Sequence, residues 1–269
     1  MQYYIKVEPG VNIFVNDLNP TASKTILFIH GWPVNSNMFE YQSNIIPQKG
    51  YRCIFLDIRG FGKSDKPIGG YDYNRIADDI RVVIDTLGIM DITLVGFSVG
   101  GAIAVKYMAR HDGHGVSKLI LAGAAAPSFT ILPNFPYGHS KEETNTLIEA
   151  IYTDRPKMLD DFTSMFFYKQ ISKPFSGWFL DLGLKASSYG KIAVLESIRD
   201  EVLFEDLKKI TKETLILHGK HDKVCPFALA EAMKKDIPNS TLIPFEESGH
   251  GLFYDEKDKF NEEILKFVH

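Results

Sequence analysis

Ile92-Thr93-Leu94-Val95-Gly96-Phe97-Ser98-Val99-Gly100-Gly101 runs from an apolar, β-favouring stretch, through a serine set between glycines, into the helix-like segment 102–110. A serine at such a strand-to-helix turn has a mechanical meaning. Only flanks without side chains let the backbone double back tightly and push one hydroxyl outward. Ser98 is therefore the first candidate for a nucleophile. The same spacing arises in ordinary Gly/Ser loops, and what separates the two cases here is the strand before the turn and the helix after it.

A serine hydroxyl is a weak nucleophile near neutral pH. It needs a base to take its proton and a third group to hold that base in the right tautomer. For a nucleophile on this kind of turn the partners follow in the order carboxylate, then histidine. The C-terminal part of the chain has that order. Leu215-Ile216-Leu217-His218-Gly219 reads as a buried strand entering the polar turn Lys220-His221-Asp222-Lys223-Val224-Cys225-Pro226. The strand-like Thr241-Leu242-Ile243-Pro244-Phe245 precedes Glu246-Glu247-Ser248-Gly249-His250-Gly251. Asp222 is the expected orienting acid and His250 the expected general base. His30 and His218 each sit between an apolar strand and a glycine, which suits histidines bonded to loop backbone. His221, beside the acid, is the rival base. The strand at 118–121 runs into Ala122-Gly123-Ala124-Ala125-Ala126. With no carboxylate there, Asp222 has no competitor at that turn.

Attack on an acyl carbon also requires donors for the oxyanion. The amide of Val99, at the start of the helix after Ser98, is one candidate, because first-turn amides are unpaired and the helix dipole favours negative charge. The run Thr25-Ile26-Leu27-Phe28-Ile29 ends in His30-Gly31-Trp32-Pro33. The amide of Trp32 is the second candidate. Pro33 cannot donate, and its ring biases Trp32 towards extended backbone, directing the Trp32 carbonyl.

These pieces, together with Asp57-Ile58-Arg59-Gly60-Phe61-Gly62-Lys63-Ser64-Asp65-Lys66-Pro67 and Ala77-Asp78-Asp79-Ile80, span nearly the whole chain. In this order they resemble the α/β-hydrolase superfamily, and within it the cofactor-free haloperoxidase, arylesterase and perhydrolase branch. One departure is Val99, where members of that branch often carry methionine, which alters pocket shape and leaves the donating amide in place. The resemblance implies an α/β fold with a mostly parallel central sheet flanked by helices, and a serine hydrolase needing neither cofactor nor metal. Its expected substrates are small neutral or aromatic esters, with perhydrolysis as a side activity in which hydrogen peroxide replaces water and a peracid leaves. Lactone or carbon–carbon bond hydrolysis uses the same machinery, and a ligand receptor on the same scaffold is the non-catalytic alternative. Dehalogenating relatives use aspartate where this chain has Ser98. Members of the branch often form homo-oligomers, which carries over as an expectation.

Short apolar runs near Ile26, Ile54, Leu94, Leu119, Leu215 and Leu242 alternate with helical patterns, as a parallel sheet covered on both faces requires. Residues 3–7 and 12–17 read as an opening hairpin. The stripe Ile76, Ile80, Val83, Ile84 and Leu87 predicts a helix over 74–87, and another amphipathic helix closes the chain at 257–268. The alternation fails between Pro127 and Ile210. That interval is too long for a simple connection, and it carries Pro133, Pro136, Pro156 and Pro174 among many aromatics. It reads as an inserted helical cap, residues 127–210, on a core of 1–126 and 211–269. By the resemblance, the acyl pocket takes residues from the oxyanion loop, the cap and the acid loop: Trp32, Phe129, Phe162, Phe166 and Val224.

With 45% hydrophobic and 24% charged residues, the 269-residue chain has the make-up of a globular protein with one substantial core. A net charge of −4 gives no footprint for nucleic acid. No apolar run approaches the roughly 18 residues of a membrane span, and the N-terminal residues lack the layout of a signal peptide. The expectation is a cytoplasmic protein with a small-molecule ester as partner. Cys53 and Cys225 form neither a disulfide framework nor a metal site. Phosphate-loop and dinucleotide-loop glycine patterns are absent.

Overall fold

The structure, a computed structural model, describes all 269 residues. Its strands are β1 (Gln2–Glu8), β2 (Val11–Leu18), β3 (Lys24–Ile29), β4 (Tyr51–Leu56), β5 (Ile92–Phe97), β6 (Val116–Ala122), β7 (Glu213–Gly219) and β8 (Ser240–Phe245). Its helices are α1 (Glu40–Ser43), α2 (Tyr73–Leu87), α3 (Val99–Arg110), α4 (Lys141–Phe166), α5 (Lys173–Leu184), α6 (Ser188–Asp200), α7 (Phe204–Leu207), α8 (Phe227–Asp236), α9 (Leu252–Asp255) and α10 (Lys257–Val268). The eight strands form one sheet in the order β1-β2-β4-β3-β5-β6-β7-β8. β1 and β2 pair antiparallel, β2 meets β4 antiparallel, and every pairing from β4 to β8 is parallel.

Local chemistry explains the elements. All six residues of β5 are buried, because helices cover both faces of the parallel region. Asp72 caps α2 by accepting from the Arg75 amide, and Gly88, in the left-handed region at φ 58°, ends it. Between these caps Ile76, Ile80, Val83 and Ile84 are buried on one stripe. Phe260, Ile264 and Val268 do the same for α10.

The sheet order decides where chemistry can occur. β3 lies between β4 and β5, so the chain leaves β3 towards one side and later returns on the other. The loops after β3 and β5 then diverge from adjacent strand ends, leaving the crevice that parallel α/β sheets use for ligands. The segment after β4 braces this crevice. Asp57 accepts from the amides of Ser36 (2.8 Å) and Lys63 (2.8 Å), tying the continuation of the β3 loop to the β4 loop. Arg59, buried, makes a bidentate pair with Asp79 of α2 (2.6 and 2.7 Å) and reaches Glu8 at 2.9 Å.

Helices α4 to α7 interrupt the strand–helix alternation between β6 and β7. α4 packs on α5 and α6, and the Leu203 amide donates to the Pro127 carbonyl (2.8 Å), joining the two ends of the insertion. α4 is not one straight rod. Asp154 leaves helical geometry (φ −150°, ψ 81°) two residues before Pro156, whose ring excludes a regular turn there, and the Asp154 carboxylate recaps the second half through the Lys157 amide. No helix is long and apolar enough to cross a membrane.

Candidate active site

Ser98 sits between β5 and α3 with φ 54° and ψ −121°, a strained backbone that a side-chain-bearing residue adopts only when its surroundings enforce it. They do so here. The Ser98 amide donates to the Ala122 carbonyl (3.0 Å), and its carbonyl accepts from the amides of Gly101 (2.9 Å) and Ala125 (3.0 Å). The flanking glycines are required by contact. A Cβ at Gly100 would stand 2.5 Å from the carbonyl oxygens of Ile29 and His30, and one at Gly96 would overlap the backbone of Gly100.

His250 lies in the loop after β8 and Asp222 in the loop after β7. The His250 Nε2 is 2.9 Å from Ser98 Oγ, and its Nδ1 is 2.7 Å from Asp222 Oδ2. Both side chains are fully buried, and the imidazole packs against the rings of Phe97 (4.8 Å) and Phe166 (4.7 Å). A carboxylate can only accept, so the proton of the short bond sits on Nδ1 and Nε2 presents its lone pair to the serine hydroxyl. The other oxygen of Asp222 accepts from the amides of Val224 (2.8 Å) and Cys225 (2.7 Å). Burial alone would raise the pKa of Asp222, but the charges and hydrogen bonds of His250 and His218 prevail and hold it below the usual carboxylate range.

The loop after β3 runs beside the serine. A Cβ on Gly31 would be 2.8 Å from that of Ser98. Val99 opens α3, so its amide has no intrahelical acceptor. The Trp32–Pro33 peptide bond is cis. The Trp32 indole donates to the Lys191 carbonyl of α6 (3.2 Å) and meets Phe162 edge-on at 5.0 Å. The insertion thus fixes the orientation of the Trp32 side chain.

A cavity of ≈ 260 Å³ opens between the insertion and the acid loop. Of the residues expected in an acyl pocket, Phe129, Phe162 and Val224 line it. Trp32, also expected there, does not line it; its indole instead packs edge-on against the Phe162 ring, held by its bond to α6. Phe166 is fully buried behind that ring and against His250, outside the lining. Leu147 and Met165 of α4 complete the apolar wall, with His139 and Lys223 at the polar edge.

The α/β hydrolase fold family matches residues 24–257 of this sequence. The chain is an α/β hydrolase. An esterase from Exiguobacterium antarcticum is 49% identical, with a TM-score of 0.97 over 100% of this chain and 99% of that one. A bromoperoxidase from Bacillus anthracis has a TM-score of 0.95 at 30% identity, covering 100% and 99% of the two chains. A bifunctional esterase/perhydrolase from Acinetobacter calcoaceticus is 30% identical over 98% of this chain and 99% of its own.

Within this hydrolase the remaining histidines separate clearly. His30 is buried and accepts from the Ile58 amide (3.1 Å), so it serves the loops around the crevice, and burial lowers its pKa. His221, considered as a rival base, is exposed and stacked flat on Tyr168 at 4.0 Å. His218 bonds the Cys225 carbonyl (2.7 Å), as a loop-bonded histidine should, and its Nε2 also lies 3.4 Å from Asp222 Oδ2. Its Nδ1 is buried without a partner. Sequence reasoning did not find His139, whose ring stacks on Phe129 (4.7 Å) and bonds the Val224 carbonyl (2.9 Å), clasping two walls of the cavity together. No spacing in the sequence signals that contact.

Proposed function

We propose that this hydrolase is a serine carboxylesterase for small neutral or aromatic esters, with perhydrolysis as a side activity. The observation that carries the proposal is the unbroken hydrogen-bond relay from Ser98 Oγ to His250 to Asp222, at 2.9 and 2.7 Å. In this reading Ser98 Oγ attacks the ester carbon while His250 Nε2 takes its proton. The carbonyl electrons move onto oxygen, where the amides of Trp32 and Val99 stabilise the charge. His250, as imidazolium stabilised by Asp222, returns the proton to the leaving alkoxide as the carbon–oxygen bond breaks. Water, deprotonated by His250, then releases the acid and restores Ser98. Hydrogen peroxide in place of water releases a peracid by the same proton transfers.

The apolar cavity lined by Phe129, Phe162, Leu147, Met165 and Val224 supports the substrate class. The residues 127–210 act as a cap in this reading, supplying that wall and excluding water. The esterase at 49% identity supports ester hydrolysis, and the bifunctional relative at 30% supports the perhydrolase arm. The test is covalent labelling by a fluorophosphonate beside hydrolysis of p-nitrophenyl acetate, with and without Ser98→Ala, and peracid detection when peroxide is added. Labelling and turnover that both vanish in the variant are expected. A folded wild-type protein that neither labels nor turns over would turn the reading to a ligand receptor. Turnover of a lactone or carbon–carbon substrate panel far above esters would retain the nucleophile and overturn the substrate class.

A further inference from the structure

The loop that carries His250 meets the acid loop through the His221 amide, which donates to the Ser248 carbonyl (3.0 Å). It is held as well by two carboxylates that follow it, one on the short helix α9 and one just after it. Glu256 accepts from the Glu247 amide (3.0 Å) and the Ser248 hydroxyl (2.6 Å), and so closes the loop on itself. Asp255 does something different. Its Oδ2 accepts from the Gly249 amide (2.9 Å), the residue before His250, and from the Tyr168 amide (2.9 Å). Its Oδ1 accepts from the Lys169 amide (3.1 Å). Tyr168 and Lys169 are the exit of α4, the helix that carries Phe162 and Phe166. The Gly251 amide donates to the Phe166 carbonyl (2.8 Å), so both sides of His250 are tied to that exit.

We propose that Asp255 is a positioning residue that locks the His250 loop and the aromatic end of α4 into one unit. The position of the base and the shape of the substrate wall are thereby set together. The inference rests on the esterase reading for its kinetic consequences and on geometry alone for the lock itself. A carboxylate suits the task because it accepts at both oxygens and donates at neither. Three amides from two segments converge on it, that of Gly249 buried and those of Tyr168 and Lys169 at the surface end of the contact, and Asp255 is itself 6% exposed. An asparagine would offer one oxygen and turn an amino group against the amides on the other side, which costs most where the buried Gly249 amide loses its acceptor. Contact explains why the loop is glycine-rich. A Cβ on Gly249 would approach the Tyr168 nitrogen to 2.9 Å, and one on Gly251 would overlap the Phe167 ring. The two segments touch backbone to backbone, so a shift of one is transmitted to the other.

The test compares Asp255→Asn with Glu256→Gln, using fluorophosphonate titration to count competent sites and p-nitrophenyl acetate and benzoate as small and aromatic substrates. For Asp255→Asn, kcat per titrated site falls on the order of ten- to a hundred-fold, the range that a misplacement of about 1 Å produces. The benzoate-to-acetate ratio of kcat/KM changes with it. Glu256→Gln loosens only the histidine loop, lowering kcat while the ratio stays. A purely structural Asp255 would lower the titrated fraction and leave both quantities per site unchanged, and that result overturns the proposal. Hydrogen exchange of the wild-type protein needs neither a variant nor turnover. The amides of Gly249, Tyr168 and Lys169 should exchange slowly and at one common rate. Slow exchange at Gly249 with free exchange at Tyr168 and Lys169 would refute the lock even if Asp255→Asn fails to fold. A wild type without esterase turnover, with the common slow rate intact, would sink the esterase reading and leave the lock standing.

Discussion

Lys191 provides a quantitative test of how α6 is packed. Its side chain is completely buried, yet its only polar partner is the Ala186 carbonyl at 3.3 Å, which also accepts from Arg155 (2.9 Å). Burial, with a smaller push from Arg155, lowers its pKa from 10.5 to about 7. The sign of the consequence follows from counting protons. Between those two values the unfolded chain keeps a proton that the folded protein has released, so this group makes stability rise with pH. At about 1.4 kcal/mol per pKa unit, integration from pH 7 to 9 gives a gain of roughly 2 kcal/mol, allowing for the half-protonated amine at pH 7. Lys191→Met keeps an unbranched side chain of similar reach and removes the titration. The bond from Trp32 to the residue-191 carbonyl is unaffected. We expect the variant to be more stable than the wild type at pH 7, with the advantage shrinking by about 2 kcal/mol by pH 9. Urea unfolding of both proteins at the two pH values measures the double difference and cancels every other titrating group. A double difference below about 0.5 kcal/mol, the additivity error of such comparisons, would refute the argument that the buried amine lacks compensation.

Two further outcomes follow from the site geometry. Because two backbone amides pin Asp222 Oδ1, Asp222→Asn should keep its oxygen there and turn its amino group to His250. That forces the proton onto Nε2, facing Ser98, and kcat for p-nitrophenyl acetate should fall roughly 10⁴-fold. A loss under about ten-fold would contradict the tautomer assignment. Gly100→Ala should drive α3 away from the β3 terminus, since the new Cβ would meet two backbone oxygens at 2.5 Å. The soluble fraction should fall sharply and kcat drop by about a hundred-fold or more as the Val99 amide moves. Wild-type kcat in a well-expressed variant would show that this contact relaxes without consequence.

What was legible in the sequence is what local chemistry dictates. The G-x-S-x-G turn lies where strand and helix patterns meet, and the structure puts Ser98 there with positive φ. The strands near Ile26, Ile54, Leu94, Leu119, Leu215 and Leu242 all form, as do the opening hairpin and the helices near 74–87 and 257–268. Asp222 and His250 could be named because each lies in a polar loop after an apolar run. The cavity wall was harder. Helical periodicity says that Phe162 and Phe166 face inward and not what they face, and Phe166 turns out to back His250 while Phe162 lines the cavity. Lys191 was unreadable for the same reason. A lysine is ordinarily solvated, and only the packing of α6 decides otherwise.

The long D-x-R-G segment shows where motif and mechanism part company. It helped to identify the superfamily, yet none of its side chains takes part in the hydrogen bonds of Ser98, His250 or Asp222. Asp57 spends both oxygens on the amides of Ser36 and Lys63, and Arg59 spends its guanidinium on Asp79 and Glu8. The Gly60 carbonyl accepts from the Ser187 amide (2.9 Å), at the start of α6. From α6 the Lys191 carbonyl holds the Trp32 indole. A chain of contacts thus runs from the β4 loop, through the start of the last long helix of the insertion, to the residue whose amide is proposed to receive the oxyanion. The segment positions the site by bracing the loop after β3 from two directions, its own and that of the insertion. A stretch without a nucleophile, base or acid thus bears on the site through position alone: it holds the loop after β3, which forms one side of the crevice at the β3–β5 divergence.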